Sequence, residues 1–326
     1  MSTETMLDSI DDYLGAAETR FFGHGYQRVR YDVDDVAVTV EYGGQRTIQA
    51  TAAIRYPEGW STKSGGELRP HLSTIDGVLL GARLGEFFLA AGLGLDAGQR
   101  ADAWLRRVVL RAGSQPQEDL SDLALRATWR AASTEPVLPG ATVSIVDARV
   151  GAMKVRCEIE HRSASPLPGE TRFDLSEELL GSDERRCYGT AFIARGQGMR
   201  EIVVSKKDMR ASAKVDQSGP GVAMTGMEAA YQPSLSMIDC FVSSLQLAQV
   251  LLYETDGLSR GESDTLWMRQ TSIVASDPRR PWPGDVDTRL TDPGLVEMGD
   301  SVWRTARILG ACAGMSLDCD VAHRLP

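Results

Sequence analysis

Cysteine is scarce and badly spaced for chemistry. The five residues Cys157, Cys187, Cys240, Cys312 and Cys319 are odd in number and include no Cys-x-x-Cys pair. That excludes a disulfide framework or a zinc site as an organising device and predicts reduced thiols in a cytoplasmic protein. No apolar run reaches the ~18 residues of a membrane span. The opening Met-Ser-Thr-Glu-Thr-Met lacks the basic and apolar segments of a secretory signal. Basic charge is also short, with 35 Lys and Arg against 45 Asp and Glu and a net charge of −10. General nucleic-acid binding, which needs a basic face, is therefore not expected. Arg100, Arg106, Arg107 and Arg111 form one local basic cluster, which reads as a solvated strand face. Nothing in the pattern calls for a metal or a cofactor.

The chain of 326 residues has ordinary globular composition, 42% hydrophobic and 25% charged. At ~150 residues per domain, its length suggests two domains. A repeat agrees with that count. Leu72-Ser73-Thr74-Ile75-Asp76 recurs as Leu235-Ser236-Met237-Ile238-Asp239, and the match runs on without a gap. Over Leu72–Ala112 and Leu235–Ala275 it gives 12 identities in 41 positions, among them Trp104/Trp267 and Arg106/Arg269. A second matching stretch, Cys157–Arg162 with Cys319–Arg324, lies at nearly the same offset. Such self-similarity is the first thing to read in a sequence. It divides the chain into residues 1–165 and 166–326.

Each copy of the five-residue motif starts a helix. Ser73 and Ser236 stand three residues before Asp76 and Asp239, the capping-box spacing. The runs Val78–Ala91 and Phe241–Tyr253 are apolar nearly all round, as in a helix buried on most sides. Gly81 and Gly85 mark a face where another backbone can come close. Strands are expected over Val36–Tyr42 and Arg46–Tyr56, with Gly43-Gly44 turning between them. Others are expected over Ala103–Ala112, Leu123–Ala132 and Ala141–Arg162, where Met153, Val155, Cys157, Ile159 and His161 alternate with charged residues. The second half predicts strands over Cys187–Arg195, Arg200–Val204, Arg210–Val215, Thr265–Ala275 and from Ser301 to the end. Met6–Ala17 reads as a short helix. The Gly- and Ser-rich stretches 57–70 and 218–226 read as loops, and 166–169 as a linker. A helix apolar on all sides needs cover on all sides, which a curved antiparallel sheet provides. The fold class is α+β, a tandem double hot dog with one buried helix per half. The arrangement is compatible with a homodimer.

The segments Ser9-Ile10-Asp11-Asp12-Tyr13-Leu14-Gly15, Arg20-Phe21-Phe22-Gly23-His24-Gly25-Tyr26 and Pro233-Ser234-Leu235-Ser236-Met237-Ile238-Asp239 resemble the bacterial avirulence D (AvrD) family over nearly the whole chain. The resemblance implies an enzyme directing synthesis of syringolide-type elicitors. These are acyl sugar lactones formed from a 3-oxoacyl thioester, borne on CoA or acyl carrier protein, and a pentulose such as xylulose. It also implies kinship in role with hot-dog enzymes of γ-butyrolactone signal synthesis. The chain is more distantly similar to polyketide dehydratase double hot dogs, whose second helix begins with a His-Pro-x-x-x-Asp-like pattern. Here no histidine precedes Pro233 and no first-half histidine motif is evident, which counts against simple dehydration.

Asp239 and Asp76 are the leading catalytic candidates. At a buried helix N-terminus the dipole keeps a carboxylate charged and able to act as a base or to anchor a hydroxyl. The plainer reading makes each the third residue of its capping box. His71, five residues before Asp76, can pair with it, and His24 lies between two glycines. His161 and His323 read as core-edge residues. Ser236, Cys240, Ser243, Gln246 and Arg269 are candidates for substrate contact. Cys240 at a helix start suits a thiolate acyl acceptor, but its repeat partner is Gly77 and a buried apolar thiol is the preferred reading. Arg269, with Arg106, also reads as an outward neighbour of the strand tryptophans. The second half, polar just after its aspartate, is the expected site. The chemistry expected is acyl transfer to a sugar or polyol hydroxyl. The alternatives are a dehydratase or thioesterase on acyl thioesters and a non-catalytic acyl-ligand-binding double hot dog.

Overall fold

A computed structural model describes residues 4–63, 66–218, 223–263 and 266–326. Met1 to Thr3, parts of the loops expected over 57–70 and 218–226, and Thr265 lie outside the described residues.

The first repeat supplies strands β1 (Glu4–Ser9), β2 (Arg30–Val40), β3 (Arg46–Arg55), β4 (Trp104–Arg111), β5 (Leu123–Ala131), β6 (Ala141–Val150) and β7 (Met153–Arg162). The second supplies β8 (Gly169–Leu175), β9 (Gly196–Ser205), β10 (Arg210–Ser218), β11 (Leu266–Ala275), β12 (Gly284–Met298), β13 (Ser301–Cys312) and β14 (Met315–Arg324). All join one antiparallel sheet in the order β1-β9-β10-β12-β13-β14-β11-β4-β7-β6-β5-β3-β2-β8. Two helices, α1 (Thr74–Phe87) and α2 (Met237–Asp256), are wrapped by it. This is the tandem double hot dog. Among the described residues, no helix is long and apolar enough to cross a membrane.

The repeat can be read in the strand register. At the join of the halves Val109 faces Ser272, and these are equivalent positions, 163 apart. The pseudo-twofold therefore passes between them. Both flanking strands carry a bulge at the same place, between Leu105 and Arg107 in β4 and between Met268 and Gln270 in β11. The residues skipped are Arg106 and Arg269, so the repeated Trp-x-Arg is a bulge signature.

Every residue of α1 is buried. Gly77, Gly81 and Gly85 let it sink onto β7. A Cβ at Gly81 would lie 2.7 Å from Val155, and one at Gly85 2.2 Å from Ile159. The glycine face thus meets strand side chains, where the spacing alone suggested another backbone. In the second repeat the strand gives way instead, since a Cβ on Gly310 would strike Ser244 at 2.5 Å.

Several elements differ from expectation. Met6–Ala17 is not one helix: Glu4–Ser9 is the edge strand β1, and only Asp11–Leu14 is helical, ending at Gly15 with φ +79°. The open edge of β9 supplies backbone partners that local propensity cannot anticipate. Ala141–Arg162 turns at Gly151 (φ +53°) into the hairpin β6–β7. Cys187–Arg195 is irregular rather than a strand, and the stretch 57–70 holds a two-stranded ladder, Thr62–Lys63 with Gly66–Glu67.

The two repeats exchange their first elements. β1 pairs with β9 of the second repeat, and β8 with β2 of the first. The chain then crosses onto the other repeat's helix in a strap, residues 11–29 over α2 and 177–195 over α1. The straps form a third repeated unit, at an offset of 166: Leu14/Leu180, Gly15/Gly181, Glu18/Glu184, Arg20/Arg186 and Gly23/Gly189. Their geometry matches too. A Cβ on Gly23 would lie 2.2 Å from the Ala17 carbonyl oxygen, and one on Gly189 2.3 Å from that of Asp183. Arg20 donates to Gln246 on α2 at 2.6 Å, and Arg186 to Glu86 on α1 at 3.2 Å.

Candidate active site at the start of the second helix

Ser236 caps α2, accepting from the Asp239 amide at 3.2 Å. Its own amide and hydroxyl both donate to Asp239 Oδ2, each at 2.7 Å. The guanidinium of Arg195, at the end of the second strap, stands 3.5 Å from the same oxygen. Among the described residues Oδ1 of Asp239 accepts no hydrogen bond, and Nε of Arg195 is buried without a partner. An acceptor and a donor that have no partner among the described residues thus lie on two neighbouring, largely buried side chains, Asp239 being 5% exposed. Such a pair can hold a hydroxyl and a carbonyl oxygen together. The first strap covers the site. Phe22 packs edge-on against Phe241 at 5.7 Å, and Gln27 donates to the Arg195 carbonyl at 2.6 Å. Gln197 of β9 donates to the Asp239 carbonyl at 3.2 Å.

Asp76 occupies the equivalent place on α1 but is closed. Tyr31 donates to Oδ1 at 2.6 Å, and Tyr56 and the Ser73 amide to Oδ2 at 2.7 Å each. It is fully buried, and this desolvation raises its pKa against the pull of those donors. A carboxyl raised in the fold stabilises it below the unfolded pKa, and that contribution is lost as pH rises through the folded value. The wild-type Tm is therefore expected to fall relative to that of Asp76→Asn as pH rises above about 4. Parallel Tm–pH curves for the two proteins would remove burial as the ruling cause.

The other candidates are placed as follows. Ser243 lies one turn beyond Asp239 but spends its hydroxyl on the Asp239 carbonyl at 2.7 Å. Gln246 is held by Arg20. Cys240 is fully buried, and a hydrogen bond with Cys312, together with burial, pushes its thiol well above the usual range, which is the wrong direction for a thiolate. His71 does not pair with Asp76. Its Nδ1 lies 3.2 Å from the Arg69 carbonyl, while its own carbonyl accepts from Tyr56 at 3.2 Å. His24 is half exposed beside Glu18, with Nδ1 and Oε1 3.5 Å apart. Arg269 is exposed at its bulge on the outer face of the sheet, away from the helices. The fold thus gathers Ser236, Asp239, Cys240, Ser243 and Gln246 along one helix, and no contact among the described residues joins His24, His71 or Arg269 to them.

Sequence reading missed Arg195, Gln197, Tyr31 and Tyr56. It also missed a set of buried ions at the second strap. Arg83 pairs with Asp183, and Arg186 with Glu86 and Asp183. Arg280 pairs with Glu228, which also accepts from the Leu105 amide at 3.1 Å. Arg280 Nε further donates to the Leu235 carbonyl at 2.7 Å, fixing the chain as it enters α2. The strap repeat Arg-x-x-Gly, at its offset of 166, was the available signal for Arg20 and Arg186.

The sequence model of one family, described as Pseudomonas avirulence D protein (AvrD), matches residues 5–326. No curated protein matches. Among solved structures, the tesB protein of Mycobacterium avium subsp. paratuberculosis is similar at 10% identity and a TM-score of 0.40, over 85% of this chain and 93% of that one. A trans-AT PKS dehydratase domain from Brevibacillus brevis is similar at 11% identity and 0.37, over 88% and 96%. A hot-dog protein of unknown function from Alicyclobacillus acidocaldarius is similar at 7% and 0.34, over 88% and 96%. These likenesses are distant.

Proposed function

The chain belongs to the AvrD family, and from that premise we propose that it is an enzyme acting on acyl thioesters, joining a 3-oxoacyl thioester to a hydroxyl of a sugar-like acceptor, a pentulose such as xylulose. The side chains of Asp239 and Arg195 at the start of α2, which approach through Oδ2 and leave Oδ1 and Nε without a partner among the described residues, carry this reading. Asp239 accepts the proton of the acceptor hydroxyl as its oxygen attacks the thioester carbonyl. Arg195 and the unpaired amides of the first helical turn oppose the charge that develops on the carbonyl oxygen. The thiol leaves, taking up the proton that Asp239 received, and an ester remains. Attack of the acyl α-carbon on the sugar ketone then closes the lactone ring, in the same site or in solution. The donor is borne on CoA or on acyl carrier protein.

Purified protein given a 3-oxoacyl thioester, with and without xylulose, tests the reading. Release of thiol that depends on xylulose, with an acyl sugar product of matching mass, is the expected result. Equal release without the sugar would identify a thioesterase instead. Saturable binding without turnover would identify an acyl-binding protein.

A further inference from the structure

On the outer face of the first repeat, four cations stand directly opposite one another on neighbouring strands. Arg111 of β4 faces Lys154 of β7, Lys154 faces Arg149 of β6, and Arg149 faces Arg126 of β5. All four are exposed, and none makes an ion pair or side-chain hydrogen bond among the described residues. They line a groove of about 770 Å³. Its two carboxylates are already engaged, Asp147 with Arg156 at 2.5 Å and Glu158 with Arg107 at 3.9 Å. Like charges directly opposite destabilise a sheet, so the row works against the fold that carries it.

The fold does not demand the row. The equivalent row of the second repeat, read by the same register, is Val274, Ser316, Ala311 and Asp287, with no cation. Nor is the whole surface basic, since the chain carries −10. That overall charge repels a long polyanion such as a nucleic acid and leaves a compact acidic ligand favoured at the groove.

The spacing narrows the choice. Strands lie about 4.8 Å apart, so the four charges span about 14 Å across the strands. Carboxylates at i, i+4, i+7 and i+11 of an α-helix lie along one side and span about 16 Å. We propose that this row is a docking surface for an acidic helix of a partner protein, laid across β4, β7, β6 and β5. Flexible Lys and Arg side chains absorb the difference in pitch.

The test uses the full chain and a labelled helical peptide with glutamates at i, i+4, i+7 and i+11. A peptide of identical composition with its glutamates spread around the helix serves as control. Saturable binding of the first peptide is expected, at least about tenfold tighter than the control and weakening as salt rises. Arg149→Glu with Lys154→Glu is expected to lower affinity at least about tenfold. Lys154→Glu alone is expected to weaken binding several-fold and to raise Tm by about 2 °C, because it relieves repulsion from both neighbours. A variant that loses binding while gaining Tm has not simply unfolded. Equal binding of the two peptides, binding unchanged by the charge reversals, or tighter binding of duplex DNA at the same salt would overturn the proposal. So would self-association of the chain that the reversals abolish, since the row would then serve a second copy.

Discussion

Asp239→Asn is expected to lower xylulose-dependent thioester turnover by about 10²–10⁴-fold, the usual contribution of a positioned general base, with Tm close to wild type. The amide keeps an oxygen for the Ser236 donors, so the cap survives, but it cannot take a proton. The equivalent change at α1 separates the two carboxylates. Both oxygens of Asp76 are occupied by Tyr31, Tyr56 and Ser73, and Asp76→Asn is expected to leave turnover nearly unchanged while altering the pH dependence of Tm. Turnover assays on the two variants, with circular dichroism to confirm folding, make the comparison. Full activity in Asp239→Asn would remove Asp239 from the mechanism, and loss of activity only in Asp76→Asn would move the site to the first repeat.

The second large effect concerns stability. Arg280→Met is expected to cost about 3–5 kcal/mol, measured by urea unfolding at pH 7, because it leaves Glu228 ionised and buried without its partner. Glu228 is wholly buried, and Arg280 is 1% exposed. Burial already raises the Glu228 pKa, with Arg280 the largest influence holding it down. Without the arginine the carboxyl rises further, so the stability gap between variant and wild type is expected to narrow as pH falls and Glu228 takes up a proton. A gap of the same size at pH 5 and pH 7 would mean that lost packing, rather than the orphaned charge, sets the cost. The double variant Arg280→Met with Glu228→Leu is expected to recover much of the loss, since a buried pair replaced by apolar groups is often close to neutral.

The same contacts tie stability to the site. Arg280 holds Leu235, the residue before the Ser236 cap, and the strap carrying Arg186 ends at Arg195 beside Asp239. Ions buried around α1 and the carboxylate at the start of α2 therefore hang on one strap.

The amino-acid sequence by itself determined the duplication, the two capped and buried helices, and the alternating strands that wrap them. Each follows from short-range physics. A serine three residues before an aspartate satisfies helix amides locally, an all-apolar helix needs cover on every side, and alternation fixes which strand face is inside. The preference for the second half rested on Ser243 and Gln246, which make the second helix polar, and both prove to be held in internal hydrogen bonds. Only the tertiary structure decided the rest. β1 and β8 became strands because an edge of the opposite repeat was free to pair with them, and neither segment carries that partner in its own pattern. Cys187–Arg195 became part of a strap because Asp183 and Arg186, just before it, pair with Arg83 and Glu86 on a fully buried helix about 100 residues away in the chain. His71 sits close to Asp76 in sequence, but Tyr31 and Tyr56 reached the carboxylate first, from strands that fold over it. At Asp239 the hydroxyl that donates to the carboxylate among the described residues is that of Ser236 alone, and that difference, made by the packing of distant strands, is invisible in the repeated Ser-x-x-Asp motif.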